Sequence, residues 1–252
     1  MSIAGYLTAA FAGYLLGSVS FAHLLTQDTK RPVAAEGFTL QVPNSSATLV
    51  STSESATAVR MRSGAASGCL VGILDMAKGA LPAWLLHLWY PNTQFYLVFA
   101  TLAVVGHIWP LYHRFRGGRG QSVIVGSMLA IDPLGVLLMN VAGFLLGVAL
   151  NNLLVIMAGG MLLMIPWLLI RTGDLAQIAY TVVANALYWY AMRSELRQYS
   201  ALRRVGHLTD RTELFAFMGM PRLDRLTNSW LDRLRSRCAG PSQPHEDEER
   251  GQ

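Results

Sequence analysis

Charged residues are scarce in this sequence, and their scarcity argues against a soluble fold. Only 14% of the 252 residues are Asp, Glu, Lys or Arg, whereas 52% are hydrophobic. A soluble domain carries about 25% charged residues. Charge nearly vanishes from several runs of about 16–25 residues, long enough to cross or nearly cross a hydrocarbon layer about 30 Å thick. We therefore interpret the chain as an integral membrane protein rather than as a large soluble helical core.

Other absences narrow the class of protein further. The two cysteines, Cys69 and Cys238, lack the spacing of a metal site or of a disulfide framework. No basic segment precedes the first apolar run, which is expected to be a retained helix rather than a signal peptide. No internal repeat is evident, which argues against a transporter built from inverted halves. The net charge of +5 is attributed to cytoplasmic loops near anionic lipid and not to nucleic acid.

Seven apolar segments predict an all-α polytopic membrane protein with about seven transmembrane helices, two of them short. The segments cover about residues 3–25, 67–90, 94–112, 121–131, 134–150, 153–170 and 175–192. The two short segments, the fourth and fifth, meet at Asp132-Pro133, where proline favours a turn. Lysines and arginines follow the first, third and seventh segments, whereas the opposite connections hold only Arg171. The positive-inside rule therefore places the N-terminus outside and the C-terminus in the cytoplasm.

The remaining polar regions predict a membrane-embedded unit at 1–200 and a basic cytoplasmic tail at 201–252. The loop at 26–66 is rich in Ser, Thr and Ala and shows no strong pattern beyond a turn or two. In the tail, Leu223, Leu226, Trp230 and Leu234 share one helical face, which suits a helix on the membrane surface or one packed on the protein. The acidic end at 240–252 is expected to be disordered.

The strongest chemical signal is a glycine-rich basic stretch after the third segment. Its sequence is Gly106-His107-Ile108-Trp109-Pro110, followed by Phe115-Arg116-Gly117-Gly118-Arg119-Gly120. Glycines let backbone N–H groups approach an anion, a following helix start adds partial positive charge, and arginines offer paired donors to phosphate oxygens. The stretch predicts a phosphate site with His107 as a hydrogen-bond donor or orienter. A basic loop that only anchors the helix at the membrane interface is the alternative.

Asp75 and Lys78 place two opposite charges inside the second segment. Their spacing of three positions makes them neighbours on one helical face. Because a charge within a span costs at least about 2.5–3.5 kcal/mol, both side chains are expected to face the bundle interior. A buried ion pair is slightly favoured, and contact of Lys78 with a substrate anion is the alternative.

Two further groups are candidate site residues. Ser18 lies near the cytoplasmic end of the first segment, where its hydroxyl could reach a polar site. Thr57, Arg60 and Arg62 combine a hydroxyl with two guanidinium groups in the first polar loop. These loop residues are predicted either to bind substrate or to form a solvated polar surface.

Three stretches of the sequence resemble the acyl-phosphate-dependent glycerol-3-phosphate acyltransferases, the PlsY family. They are GYLLGSVSF, ILDMAKGALP and GHIWPLYHRFRGGRG, and their order and spacing agree with the family over about residues 5–200. The resemblance implies seven spans and transfer of a fatty acyl group from acyl phosphate to the 1-hydroxyl of glycerol 3-phosphate. The product would be lysophosphatidic acid for phospholipid synthesis, made without acyl-CoA, cofactor or metal.

The resemblance also implies where the reaction takes place and which residues serve it. The active site would lie on the cytoplasmic side of a bacterial inner membrane, in contact with lipid. His107 and Ser18 would be catalytic, and Lys78 would bind substrate. Arg116 and Arg119 stand where the family has lysines in its glycine-rich phosphate loop, so the substrate ligands would include Arg116, Gly117, Gly118, Arg119, Gly120, Thr57, Arg60 and Arg62.

Two family motifs are altered in this chain. Ser53 and Ser55 replace glycines of the first-loop signature, where Thr57 is among the few residues in register. The His and Asn expected after the last span are missing from residues 193–204. These departures leave a second hypothesis, a relative that binds lipid or phosphate without catalysis or that acylates a different polyol phosphate.

Overall fold

Helices form most of the chain in the computed structural model, which describes residues 2–25, 38–42, 45–51 and 53–209. The helices are α1 (Ile3–Gly17), α2 (Phe21–Leu24), α3 (Ala56–Ser63), α4 (Ala65–Trp89), α5 (Phe95–Ile108), α6 (Gln121–Ile131), α7 (Pro133–Ala149), α8 (Leu153–Arg171), α9 (Leu175–Ala191) and α10 (Arg193–Arg204). Two strands, β1 (Phe38–Gln41) and β2 (Thr48–Ser51), lie between α2 and α3, and a 3₁₀ turn, Leu111–His113, follows α5.

The long helices carry the apolar surface of a membrane protein. Within the described residues, four helical segments are long and apolar enough to cross a bilayer: Ile3–Leu24, Ala65–Trp89, Phe95–His113 and Leu153–Arg171. Helices α6 and α7 are apolar but shorter, and α9 has 17 residues. Large apolar side chains such as Leu7, Leu137 and Ile170 are exposed on these helices, as expected where the surrounding solvent is lipid. The chain is therefore a helical membrane protein.

Every apolar segment of the sequence corresponds to helical structure, but the first one is broken. Helix α1 ends at Gly17, and a separate short helix, α2, begins after Ser20, whose hydroxyl accepts a hydrogen bond from the His23 amide at 3.3 Å. Serine at this position caps the new helix and competes with continuation of the old one. The break leaves the carbonyl groups of Gly17 and Val19 available to other elements.

The described part of the first polar loop contains more regular structure than its sequence indicates, which corrects the expectation of a turn or two. Strands β1 and β2 form an antiparallel hairpin in which Phe38 is opposite Ser51 and Gln41 is opposite Thr48. Helix α3 follows the hairpin, and the Ser55 hydroxyl caps it by accepting a hydrogen bond from the Ala58 amide at 3.3 Å. A fold predicted as all-α thus contains one short two-stranded sheet.

Small residues allow the helices to approach closely around the site. Ideal Cβ atoms built on Gly13 and Gly17 of α1 would lie 2.4 and 2.2 Å from carbonyl oxygens of α5. A Cβ on Gly126 of α6 would lie 2.0 Å from the Met76 carbonyl oxygen of α4. Such contacts exclude larger side chains, so α1 packs closely against α5 and α6 packs closely against α4.

The turn predicted at Asp132-Pro133 joins α6 to α7 and contacts the C-terminal end of α8. The Asp132 carboxylate caps α7 by accepting a hydrogen bond from the Gly135 amide at 3.0 Å. It also accepts from the Trp167 indole at 2.8 Å and pairs with Arg171 at 2.7 Å. The predicted tail helix at 221–237 and the acidic end lie outside the described residues.

Candidate active site

The glycine-rich stretch folds back onto the end of α5. The Gly118 amide donates to the His107 carbonyl oxygen at 3.1 Å, and the Glu54 amide donates to the Gly117 carbonyl oxygen at 3.1 Å. A Cβ built on Gly118 would lie 2.3 Å from His107 Nε2, and Gly120 has a φ of +83°. Only glycine fits such a close approach and adopts this left-handed backbone readily. The loop therefore lies between α5 and the first polar loop.

Lys78 of α4 joins the end of α1 to α5 next to this loop. Its ammonium group donates to the carbonyl oxygens of Gly17 at 3.2 Å and Val19 at 2.6 Å, where α1 is broken. It also lies 2.9 Å from the Asp75 carboxylate and 3.0 Å from His107 Nδ1. The ion pair favoured by the sequence is thus formed, with both side chains buried.

The contact with Lys78 sets the hydrogen-bonding state of His107. An ammonium group has donors and no acceptor, so Nδ1 of His107 must provide a lone pair to Lys78. The hydrogen of the neutral ring then belongs to Nε2, the atom that faces Gly118. His107 can therefore act as a hydrogen-bond donor toward the glycine-rich loop.

Arg119 lies in a polar cavity next to this imidazole. The guanidinium group donates to the Thr57 hydroxyl at 3.3 Å, and the residue is only 8% exposed. The cavity is lined by Ser55, Ala56, Thr57, Asp75, His107, Arg119, Gly120, Gln121 and Ser122.

Two helices begin at the polar cavity, α3 at Ala56 and α6 at Gln121. The first four amides of a helix have no partner within the helix, and the N-terminus carries a partial positive charge of about +0.5. Together with a buried guanidinium and an imidazole N–H, these helix ends favour an anion with several oxygens, such as a phosphate group.

The structure separates the other predicted residues from the polar cavity. Ser18 is fully buried and donates to the Tyr14 carbonyl oxygen at 2.8 Å, packed against Gly106. Arg60 and Arg62 are exposed in the last turn of α3, and neither lines the cavity. Lys78 lies below it, with its ammonium group held by the protein. Thus Thr57, His107, Arg119 and Gly120 come together. The cavity is not lined by Ser18, Lys78, Gly117, Gly118 or the first-loop arginines.

Arg116 is exposed on the loop beside Glu54. The Glu54 carboxylate lies 3.1 Å from His23 Nδ1, and the rings of His23 and His113 are 4.1 Å apart. Burial raises the pKa of Glu54 above its usual value, while the neighbouring His23 and Arg116 act in the opposite direction. Glu54 therefore connects the glycine-rich loop to the end of the first apolar segment.

Sequence reasoning missed several residues that shape the site, among them Glu54, Gln121 and Ser122. A serine followed by a short helical run is a recognisable N-cap, so Ser55 could have been found by that signal. The role of Glu54 depends on its backbone amide, which donates to Gly117. No residue type or spacing indicates such a contact.

A helical membrane protein with a polar cavity, lined by a buried guanidinium group and an imidazole, is the class defined by this fold and site. A model of the family described as "Glycerol-3-phosphate acyltransferase" matches residues 7–201. A glycerol-3-phosphate acyltransferase of Methylobacillus flagellatus is 31% identical over 179 residues, which cover 71% of this chain and 74% of the relative. Glycerol-3-phosphate acyltransferase 3 of Dehalococcoides mccartyi strain CBDB1 is 27% identical, covering 79% of this chain and 94% of the relative.

A solved structure shares the fold. The crystal structure of PlsY, an integral membrane glycerol 3-phosphate acyltransferase in its glycerol 3-phosphate form, superposes with a TM-score of 0.67 at 22% identity. The match covers 79% of this chain and 93% of that one. The chain belongs to the glycerol-3-phosphate acyltransferase family, and the resemblance noted from the sequence is confirmed. It is a membrane acyltransferase of phospholipid synthesis.

Proposed function

We propose that the chain transfers a fatty acyl group from acyl phosphate to the 1-hydroxyl of glycerol 3-phosphate. The hydroxyl oxygen bonds to the acyl carbon and the bond from that carbon to the phosphate oxygen breaks. The products are lysophosphatidic acid and inorganic phosphate, and the phosphate carries away the hydroxyl proton. Such a donor already has a good leaving group, so orientation and charge neutralisation are the main requirements. The observation that carries the proposal is the polar cavity, in which Arg119, His107 and two helix N-termini converge.

The contacts support a distinct role for each group in the cavity. Arg119, Thr57 and the backbone of Gly120 hold phosphate oxygens. Gly117 and Gly118 shape the loop that carries Arg119, through their hydrogen bonds to Glu54 and His107. The Nε2 hydrogen of His107 is directed to the reacting phosphate or to the carbonyl oxygen of the acyl group.

The predicted residues outside the cavity receive indirect roles in this proposal. Lys78 positions His107, and Ser18 packs beneath it against Gly106. The exposed guanidinium groups of Arg116, Arg60 and Arg62 attract anionic substrates toward the cavity by their long-range field.

The same proposal includes seven spans in a bacterial inner membrane, an outside N-terminus and a cytoplasmic active site. The spans are formed by α1 with α2 and by α4 to α9, with α6 and α7 as the two short ones. Exposed arginines on α3 (Arg60, Arg62) and on the loop after α5 (Arg114, Arg116) lie on the elements that carry the cavity, as the positive-inside rule requires of a cytoplasmic face. The membrane-embedded unit would be 1–200, followed by the tail at 201–252.

Acyl transfer by the purified protein in lipid tests the reaction. The assay contains palmitoyl phosphate and labelled glycerol 3-phosphate, with palmitoyl-CoA as a parallel donor. We expect lysophosphatidic acid from palmitoyl phosphate alone.

Loss of one preorganised donor costs about 10²–10³-fold in rate, so the rate of acyl transfer by Arg119→Ala is expected to fall by about that factor. Arg193→Ala, which removes an exposed arginine stacked on Tyr190, is the matched control and should remain active. Full activity of folded Arg119→Ala would refute the phosphate assignment.

A second candidate function is favoured by the altered motifs. Glu195 and Gln198, in the region where the sequence lacks the expected His and Asn, bond to the hairpin instead of lining the polar cavity. A relative that binds without catalysis would bind glycerol 3-phosphate but form no product from either donor. A relative with a different acceptor would be active only with another polyol phosphate.

A further inference from the structure

A second cavity, mainly apolar, adjoins the polar one. Its walls come from the β1–β2 hairpin, the first turns of α8 and the residues around α10. The lining residues are Phe38, Leu40, Leu49, Thr57, Arg119, Leu153, Leu154, Met157, Met192, Glu195 and Tyr199. Thr57 and Arg119 line both cavities. The two spaces are therefore neighbours that share the buried guanidinium group.

The hairpin forms a fixed wall of the apolar cavity. The side-chain amide of Gln198 accepts from the Val50 amide and donates to the Val50 carbonyl oxygen, both at 2.8 Å. The Ser51 hydroxyl donates to the buried Glu195 carboxylate at 2.7 Å, and Ser45 is hydrogen bonded to His207 at 3.2 Å. Four hydrogen bonds thus attach the C-terminal end of β2 and Ser45 of the hairpin turn to α10 and the residues after it.

Alternation along the strands gives the hairpin an inner and an outer face. Phe38, Leu40 and Leu49 point into the protein, whereas Thr39 and Val50 are exposed. This follows from the two-residue period of a strand. The inner residues therefore define the shape of the apolar cavity without contacting the polar one.

We propose that the apolar cavity receives the part of the acyl chain next to the carbonyl carbon of the donor, and that Leu40 and Leu49 determine which acyl groups fit. This inference rests on the proposed function. An acyl phosphate joins an anionic group directly to a hydrocarbon chain, and here an anion-binding cavity adjoins an apolar one at Arg119. With the phosphate at Arg119, the first carbons of the chain would lie between the hairpin and α8.

Two variants change the cavity in opposite directions, and each has a neighbour on the outer face as its control. Leu40→Trp reduces the space and Leu49→Ala enlarges it; Thr39→Trp and Val50→Ala are the controls. Because one methylene group changes specificity by about 10–200-fold, we expect Leu40→Trp to raise the KM for palmitoyl phosphate by about tenfold. The KM for glycerol 3-phosphate should change less than about twofold, as expected when only donor binding is weakened.

The enlarged variant is tested with a donor that is bulky beside the carbonyl group, 2-methylpalmitoyl phosphate. Leu49→Ala should raise kcat/KM for this donor relative to palmitoyl phosphate by about tenfold, whereas Val50→Ala should not. Unfolding temperatures in detergent identify the folded variants; if Leu40→Trp is unfolded, Leu49→Ala decides the test. Wild-type protein that makes no product from palmitoyl phosphate would refute the proposed function. Active wild type with both inner variants matching their controls would refute this inference alone.

Discussion

The contacts of the buried Lys78 ammonium group indicate a structural role for this residue. Its ammonium group contacts Asp75, His107 and the two carbonyl groups left free where α1 is broken. A lysine that bound substrate would need at least one donor directed into the polar cavity, and Lys78 does not line it. We therefore regard Lys78 as a positioning residue that fixes the tautomer of His107 and joins α1 to α4 and α5.

Lys78→Met should destabilise the protein strongly, because it leaves the Asp75 carboxylate buried without its partner. Removal of one member of a buried pair costs about 3–5 kcal/mol, whereas an apolar replacement of both members is often neutral. Unfolding measured in mixed micelles should show the full loss in Lys78→Met and partial recovery in Asp75→Asn/Lys78→Met. A stable Lys78→Met protein with a raised KM for glycerol 3-phosphate would instead show that Lys78 binds substrate.

The sequence predicts a site residue when the residue acts through a side chain that suits the ligand. It does not predict where the fold places that side chain. His107, Arg119 and Thr57 were identified because their groups suit an anion, and the structure brings them together. Arg60 and Arg62 have the same guanidinium chemistry, but α3 places them on its exposed last turn. Sequence spacing could not distinguish these arginines from Arg119 because the direction of α3 depends on its packing against α4 at Gly68.

At the scale of elements, Gln198 makes two of the hydrogen bonds that join α10 to the hairpin. Its amide pairs with both backbone groups of Val50 as a neighbouring strand would. It thereby satisfies part of an open sheet edge, which would otherwise leave unpaired N–H and C=O groups.

Gln198→Ala should loosen β2 without unfolding the helices. It removes two hydrogen bonds, each worth about 0.5–1.5 kcal/mol. Amide hydrogen exchange should accelerate in Thr48–Ser51, while the amides of α5 and α8 keep their protection. Arg197→Ala, at an exposed neighbouring position of α10, is the matched control. Unchanged exchange in β2 would mean that the inner face of the hairpin, not Gln198, holds this sheet.

The helices were predictable from the sequence, whereas the hairpin was not. Long apolar runs specify a helix because backbone groups in lipid must be satisfied within the same segment. The strands have four residues each, which is too short for a clear alternation, and a two-stranded hairpin is only marginally stable by itself. It forms here because its inner face packs on the helices and Gln198 pairs with its edge, contacts that join residues 148 positions apart.

Considered as a whole, the molecule has chemically different ends. The polar cavity lies at one end and is lined by Gly120, Arg119, His107 and the start of α3. At the other end of α8, Asp132 forms an ion pair with Arg171 and accepts a hydrogen bond from the Trp167 indole. Because basic loops are retained in the cytoplasm, the end that contains the polar cavity should face the compartment in which soluble glycerol 3-phosphate is supplied.

Cysteine labelling in intact cells tests this orientation. The background is Cys69→Ser/Cys238→Ser, which removes both cysteines of the chain. Asn92→Cys lies in the exposed connection between α4 and α5, and Arg204→Cys is exposed at the end of α10. We expect a membrane-impermeant maleimide to label Asn92→Cys in intact cells and Arg204→Cys only after permeabilisation.

Because seven spans place these two positions on opposite sides of the membrane, labelling of both in intact cells would contradict the span count. Labelling of Arg204→Cys alone would reverse the orientation and place the polar cavity outside, away from cytoplasmic glycerol 3-phosphate.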